Sequence, residues 1–247
     1  MVYRAIIFDN DGVLADTEGA AAEHDPIFLS HFGYKYEIQD YALIMEGKSS
    51  TDFEIALRAD WIVRTGSQLP DNIMDLLREQ HKLQRENFVV AVKDVEPLVN
   101  AITQLRIKKA VASNGDMDTL IQKMKRVNLY DAFAPHVYNK DHVDGNGKPK
   151  PDLFLFAMKK LRVTNPAECI VIGDTSLDMQ AGRAAGMYTI GYSGGQHRLP
   201  GYAQKLYDNG ADVTFDNMSD MQMFIMNLLK PPQPKVAPAS APAPKGP

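Results

Sequence analysis

Two carboxylates, Asp9 and Asp11, stand directly behind the apolar run Ala5-Ile6-Ile7-Phe8, with Gly12 next to them. The run has the make-up of a buried strand, and Asp and Asn are poor strand residues. An acidic pair at a strand end is either a turn-and-cap device or a place where chemistry is done. Asp-Gly on its own is turn chemistry, so the other strand ends must decide. Ser113-Asn114-Gly115 follows the apolar segment Lys109–Ala112, and Gly173-Asp174-Thr175 follows Ile170–Ile172, with Asp178 four residues further on. Gly147-Lys148-Pro149 precedes a helical pattern that begins at Asp152.

These residue types suit phosphoryl transfer. Three carboxylates offer the hard oxygen ligands that Mg²⁺ takes together with water and substrate phosphate. One carboxylate can attack phosphorus and form an aspartyl phosphate. Another, two residues on, can protonate the leaving group and later activate water. Ser113 and the amides at the start of its helix can hold phosphate oxygens. Lys148 supplies positive charge to the transferring group and keeps a nucleophilic carboxylate ionised.

Such residues meet only if their strands are parallel neighbours. Besides the first run, Lys109–Ala112, His136–Tyr138, Ile170–Ile172, Tyr188–Gly191 and Asp212–Phe215 read as short strands. Helical patterns over Asp118–Val127, Asp152–Leu161 and Ser176–Ala185 alternate with them. That alternation predicts a doubly wound α/β core with a parallel sheet, whose chemistry lies in the crevice at the carboxyl ends of the strands. Residues 18–90 break the alternation. They are rich in helix formers, are punctuated by Gly33, Gly47, Gly66 and Pro70, and read as a helical insert after the first strand. The expected organisation is therefore a core from 1–17 and 91–229, an insert from 18–90, and a tail from 230–247. The tail is Pro- and Ala-rich with almost no large apolar residue, so it is expected to be disordered and partly polyproline II. Its PxxP pattern at Pro231 to Pro234 is too common in such tails to mark a binding site.

The 247 residues, 45% of them hydrophobic, can bury a substantial core. A net charge of −4 gives no electrostatic footprint for nucleic acid or an anionic membrane surface. The single cysteine, Cys169, excludes an intramolecular disulfide and lies inside an apolar run, so a buried thiol is expected. With no export segment and no stretch of about 18 apolar residues to span a bilayer, a cytoplasmic protein is expected. The stretch Glu46 to Ser50 looks like part of a phosphate loop, but Ala42 stands where that motif needs glycine. His24, His31 and His197 show no metal-ligand spacing.

DNDGV, SNG, GKPKPD and GDTSLD, in this order, resemble the four motifs of the haloacid dehalogenase superfamily, over roughly residues 4–229. The helical insert is similar to the C1 cap of its first subclass, the phosphatase and β-phosphoglucomutase-like group, as is GRAAGM after the fourth motif. The resemblance implies that Asp9 is the nucleophile and a metal ligand. It makes Asp11 the general acid/base, with its backbone carbonyl on the metal. Ser113 and Lys148 become phosphate binders, with Asn114 a backbone donor beside them. Asp174 becomes the remaining metal ligand, and Asp178 orients metal-bound water. Gly47 and Lys48 fall in the cap loop that faces the substrate. Mg²⁺ is the implied cofactor and a small phosphate ester the implied partner.

Dehalogenases of this architecture lack the second aspartate of the first motif, so Asp11 argues against that activity. The mutases carry a histidine where this chain has Ala21 and tend to have an acid where it has Gly173. Both departures favour a phosphatase over a β-phosphoglucomutase-like mutase. A non-catalytic binding protein that keeps the fold would not need the full charged set.

Overall fold

The computed structural model describes residues 2–230 except 38–39, 41–43, 45–49 and 196–197. Strands β1 (Ala5–Phe8), β4 (Lys108–Ser113), β5 (Val137–Asn139), β6 (Cys169–Gly173), β7 (Tyr188–Tyr192) and β8 (Val213–Phe215) form one sheet. Its order is β5-β4-β1-β6-β7-β8, and every pairing is parallel. The chain winds outward from β1 through β4 to β5, then crosses back to β6 on the other side of β1. The order therefore reverses at β1, and the crevice beyond its carboxyl end is where such sheets bind ligands.

β1 is buried on both faces, which explains its unbroken apolar run. Its side chains alternate between two cores. Ile6 and Phe8 pack on one face with Val111, Ile170, Ile172 and Ile190. Ala5 and Ile7 pack on the other with Ala110, Ala112 and Val171. Helices α4 (Val95–Gln104), α5 (Met117–Arg126) and α10 (Met218–Leu229) cover the first face, with α6 (Tyr130–Phe133) as a single turn beside them. Helices α7 (Asp152–Lys160) and α8 (Ser176–Ala184) cover the second, and α9 (Tyr202–Asp208) packs near β7 and β8. Each fully buried Ile or Phe contributes about 1.5–3 kcal/mol relative to exposure. Cys169 is buried as expected.

Two short strands, β2 (Ala15–Asp16) and β3 (Val90–Ala91), pair antiparallel, Ala15 with Ala91 and Asp16 with Val90. Between them lie α1 (Thr17–Ser30), α2 (Ser50–Thr65) and α3 (Ile73–Asn87), which have an apolar cluster of their own. Tyr34 stacks on Trp61 there, with ring centroids 4.8 Å apart and planes 3° from parallel. The fully buried Asp25 of α1 is satisfied from α3: His81 Nε2 lies 2.8 Å from Oδ2, and Gln84 Nε2 donates to Oδ1 at 2.7 Å.

Most element boundaries differ from expectation by a single residue, those of β4 and β5 among them. β4 begins at Lys108 and runs through Ser113, and β5 lies one residue later than expected, at Val137–Asn139. Two short strands that the sequence did not suggest, β2 and β3, bracket the helical insert. Two-residue strands carry no readable periodicity. No described helix is long and apolar enough to cross a membrane.

Candidate active site

The end of β1 is shaped by a tight reversal. The Asp9 amide continues the ladder to Ile172 O at 2.8 Å. The Asn10 carbonyl then accepts from the amides of Val13, Leu14 and Ala15, at 3.3, 2.8 and 2.9 Å. Gly12 is required twice over. Its φ is +74°, and a Cβ built there would lie 1.9 Å from Asp174 Oδ2. The reversal thus brings the first loop against the carboxylate at the end of β6.

Asp9, Asp174 and Asp178 converge there, all buried, each offering an oxygen within 4.8 Å of the others. Asp178 is fixed by the start of α8: its Oδ2 accepts from Thr175 N at 3.1 Å and Thr175 Oγ1 at 2.5 Å, closing a capping box. Its Oδ1 accepts from Lys148 Nζ at 2.6 Å. Lys148 Nζ also lies 2.7 Å from Asp9 Oδ1, so one ammonium pairs with both acids. Asp174 Oδ2 accepts from Arg198 Nη2, and Tyr202 Oη donates to the Asp174 carbonyl at 2.8 Å.

The electrostatics follow from burying several acids together. Burial, helped by the charge of Asp178, pushes the Asp9 carboxyl up to about 7, although Lys148 works against it. Burial likewise drives Asp174 well above the usual carboxylate range, with Arg198 opposing. Burial disfavours the Lys148 ammonium, yet Asp178 and Asp9 outweigh that cost and raise its pKa. The buried Asp174 Oδ1 has no hydrogen-bond partner. Buried carboxylate oxygens without donors are costly, and a hard divalent cation such as Mg²⁺ takes this kind of donor. The acidic trio fits a metal.

Lys148 is held in place through its main chain. Asn114 Oδ1 accepts from the Lys148 amide at 2.9 Å, and Asn114 Nδ2 donates to the Lys148 carbonyl at 2.8 Å. Gly147 makes room for this clamp, since a Cβ there would lie 2.3 Å from Asn114 Oδ1. The expected role of Asn114 is a backbone donor, and its side chain holds the lysine loop as well. Ser113, buried at the end of β4, accepts from Gly115 N at 3.1 Å.

Asp11 stands apart from the trio. Its Oδ1 gathers Lys123 Nζ at 2.6 Å, Thr17 Oγ1 at 3.2 Å and Asn10 Nδ2 at 3.2 Å. Its side chain is one-third exposed, at 33%. Asp178 is closer to the centre than expected, since it belongs to the trio and neutralises Lys148. Gly47, Lys48 and His197 lie outside the described residues, as does the tail from Pro231 on. Sequence reasoning did not single out Lys123 or Arg198. Lys123 sits in the last turn of α5, where a basic residue has an ordinary role. Arg198 follows a Gly-Gly loop with no recognisable motif.

The chain is similar to known proteins over most of its length. The family model described as haloacid dehalogenase-like hydrolase matches residues 6–192. The fructose-1-phosphate phosphatase of Escherichia coli is 30% identical over 193 residues, covering 76% of this chain and 95% of that protein. The β-phosphoglucomutase of Bacillus subtilis is 26% identical over 232 residues, 91% of this chain and 94% of the other. Among solved structures, a hydrolase of this family from Deinococcus radiodurans, with bound phosphate and sodium, superposes with a TM-score of 0.82. The two are 26% identical, and the match covers 92% of this chain and 96% of that one. The parallel sheet, the acids at its carboxyl edge and the family match over most of the chain lead to one assignment: this chain belongs to the haloacid dehalogenase-like hydrolases.

Proposed function

We propose that this hydrolase is a Mg²⁺-dependent phosphoric monoester hydrolase that acts on a small phosphorylated metabolite through an aspartyl phosphate. The observation that carries the reading is the buried convergence of Asp9, Asp174 and Asp178, two of which, Asp9 and Asp178, pair with Lys148. Phosphatases among the relatives, from Escherichia coli and Thermotoga maritima, support the same chemistry.

Asp9, Asp174 and the backbone of Asp11 would hold Mg²⁺, with Asp178 beside them, and the ion supplies charge that offsets the phosphoryl oxygens. A carboxylate oxygen of Asp9 attacks phosphorus, and the bond from phosphorus to the leaving oxygen breaks. Asp11 gives its proton to that oxygen, and the alcohol departs. Asp11 then takes a proton from water, the water oxygen attacks phosphorus, and the bond to Asp9 breaks, releasing phosphate. Lys148 and Ser113 bind the transferring group, and Asn114 fixes the lysine loop. The helical unit from α1 to α3 acts as a cap that closes on β2 and β3 and excludes bulk water during attack.

The match to a β-phosphoglucomutase over 91% of the chain favours a mutase as the second reading. Gly173 argues against it. A Cβ at 173 would lie 2.3 Å from Asp178 Cβ, so an acid cannot occupy that position while Asp178 stands where it does.

The test is hydrolysis of a phosphorylated metabolite panel, with release of inorganic phosphate measured against interconversion of hexose phosphates. Phosphate release that needs Mg²⁺ and disappears in a folded Asp9→Asn variant is expected. Turnover in EDTA, or an active Asp9→Asn enzyme, sinks the mechanism, and isomer interconversion without phosphate release selects the mutase.

A further inference from the structure

The edge of the sheet opposite the active site holds a cavity of about 570 Å³, between the start of β4 and the segment that follows α7. Every titratable group that lines it is basic: Lys108, Lys109, His136, Lys160 and Arg162. The chain as a whole carries a net charge of −4, so this concentration runs against its overall balance. None of these lysines, nor Arg162, makes an ion pair among the described residues. The contacts they do make leave their charge unanswered. Lys108 Nζ donates to the Arg162 carbonyl at 3.2 Å, Lys109 Nζ sits 5.7 Å over the Phe133 ring, and Lys160 Nζ sits 5.1 Å over Phe156. The His136 Nδ1 lies 2.8 Å from Tyr138 Oη.

A plainer account covers only part of this set. Lys160 lies in the last turn of α7, where a cation complements the helix dipole. That leaves Lys108 and Lys109 on a strand and Arg162 beyond the helix. Lys109 is half-buried without an acid, and burial lowers its pKa. Neighbouring strand residues point to opposite faces, so Lys108 and Lys109 set positive charge on both sides of the sheet edge. A cleft lined by one sign of charge concentrates counter-ions, and its size falls within the range of small-molecule sites, about 300–1,000 Å³.

We propose that this cavity is a second anion site, which takes a small oligophosphate whose successive phosphate groups answer charges spread around the wall. A single phosphate would reach only some of them. The site is separate from the catalytic crevice: Lys109 and Ser113 lie at opposite ends of β4, about 13 Å apart at a rise of about 3.3 Å per residue.

The test is calorimetric titration of the full chain in EDTA with tripolyphosphate, with the β,γ-imido analogue of ATP, and with inorganic phosphate. Saturable binding of tripolyphosphate is expected, weakened about tenfold (about 1.4 kcal/mol) by Lys109→Met and by Lys160→Met. Lys160 is exposed on the helix surface, so Lys160→Met keeps the test valid if Lys109→Met is poorly folded. Neither variant should change catalytic turnover, and Ser113→Ala should leave tripolyphosphate affinity unchanged. Equal affinity for the imido analogue assigns the site to nucleotides, and a preference for tripolyphosphate assigns it to inorganic chains. The proposal is overturned if affinity is indifferent to both lysines, if Ser113→Ala abolishes binding, or if inorganic phosphate binds as well as tripolyphosphate.

Discussion

The guanidinium of Arg198 donates to Asp174 Oδ2, and both side chains are almost wholly buried, 4% and 1% exposed. The same guanidinium lies 3.1 Å from Glu18 at the start of α1, and its carbon stands 4.4 Å over the Tyr202 ring. Arg198 is thus the internal counter-ion of the acid at the end of β6, and it ties that acid to the first turn of the helical unit. Breaking a buried pair strands its other half, at a cost of about 3–5 kcal/mol. Arg198→Met should therefore lower the melting temperature of the metal-free protein. Mg²⁺ binds the native state and stabilises it by mass action, and with the competing cation gone the ion should raise the variant's melting temperature by more than it raises the wild type's. Thermal denaturation with and without Mg²⁺ checks both signs. An unchanged metal-free melting temperature, or a smaller Mg²⁺ increment, refutes the counter-ion role.

Lys123 reaches from α5 to Asp11 across 112 positions of sequence, and the 2.6 Å contact fixes the carboxylate proposed to carry the proton. Removing it should misplace Asp11 more than it disturbs phosphate binding. Lys123→Met is expected to lower kcat on an alkyl phosphate about 10–100-fold, part of the about 10²–10⁴-fold that acid–base groups supply, with KM little changed. An aryl phosphate with a good leaving group needs no protonation and should be spared in its first step. Equal losses on alkyl and aryl esters would show that Lys123 acts otherwise.

Asp25 offers a test of the helical unit alone. It is fully buried, and its two oxygens meet His81 and Gln84 on α3. Asp25→Ala removes the acceptor and strands Gln84, itself buried, at a cost of about 1–3 kcal/mol per unsatisfied group. Urea unfolding should show that loss. His81→Ala should cost less, because the His81 side chain is 27% exposed and its place can be taken by water. A larger loss for His81→Ala would reverse that account.

The sequence shows those parts of the site that depend on local order. Asp9, Ser113 and Asp174 are legible because each closes an apolar strand, and a parallel sheet sends all such ends to one edge. Lys148 in its Gly/Pro loop would by itself read as a solvated lysine, and only the motifs around it make it legible. Lys123 and Arg198 are not, because a long cation on a helix or in a loop looks alike whether it faces water or spans the fold to a carboxylate. The strand order is also hidden: nothing in β6 marks it as the partner of β1 rather than of β5. Gly173 shows the reverse case. In the sequence it is a departure from the mutase pattern, and only the approach of Asp178 gives its physical reason.

Asn114 is the clearest case in which the fold gives a residue a role that its motif does not show. Its side chain grips the amide and the carbonyl of one residue, Lys148, and so sets the lysine that faces Asp9 and Asp178. Asn114→Ala removes both bonds, each worth about 0.5–1.5 kcal/mol net. The loop then loses its register against β4, and Lys148 loses a fixed place to bind phosphate. A fall in kcat/KM of about tenfold or more is expected, which corresponds to about 1.4 kcal/mol, together with weaker inhibition by inorganic phosphate. Asn114→Asp keeps the acceptor for the Lys148 amide but turns an oxygen toward the Lys148 carbonyl, so it should not restore activity. Phosphate inhibition constants for both variants decide the matter. If Asn114→Ala binds phosphate as tightly as the wild type, the clamp plays no part in placing the lysine.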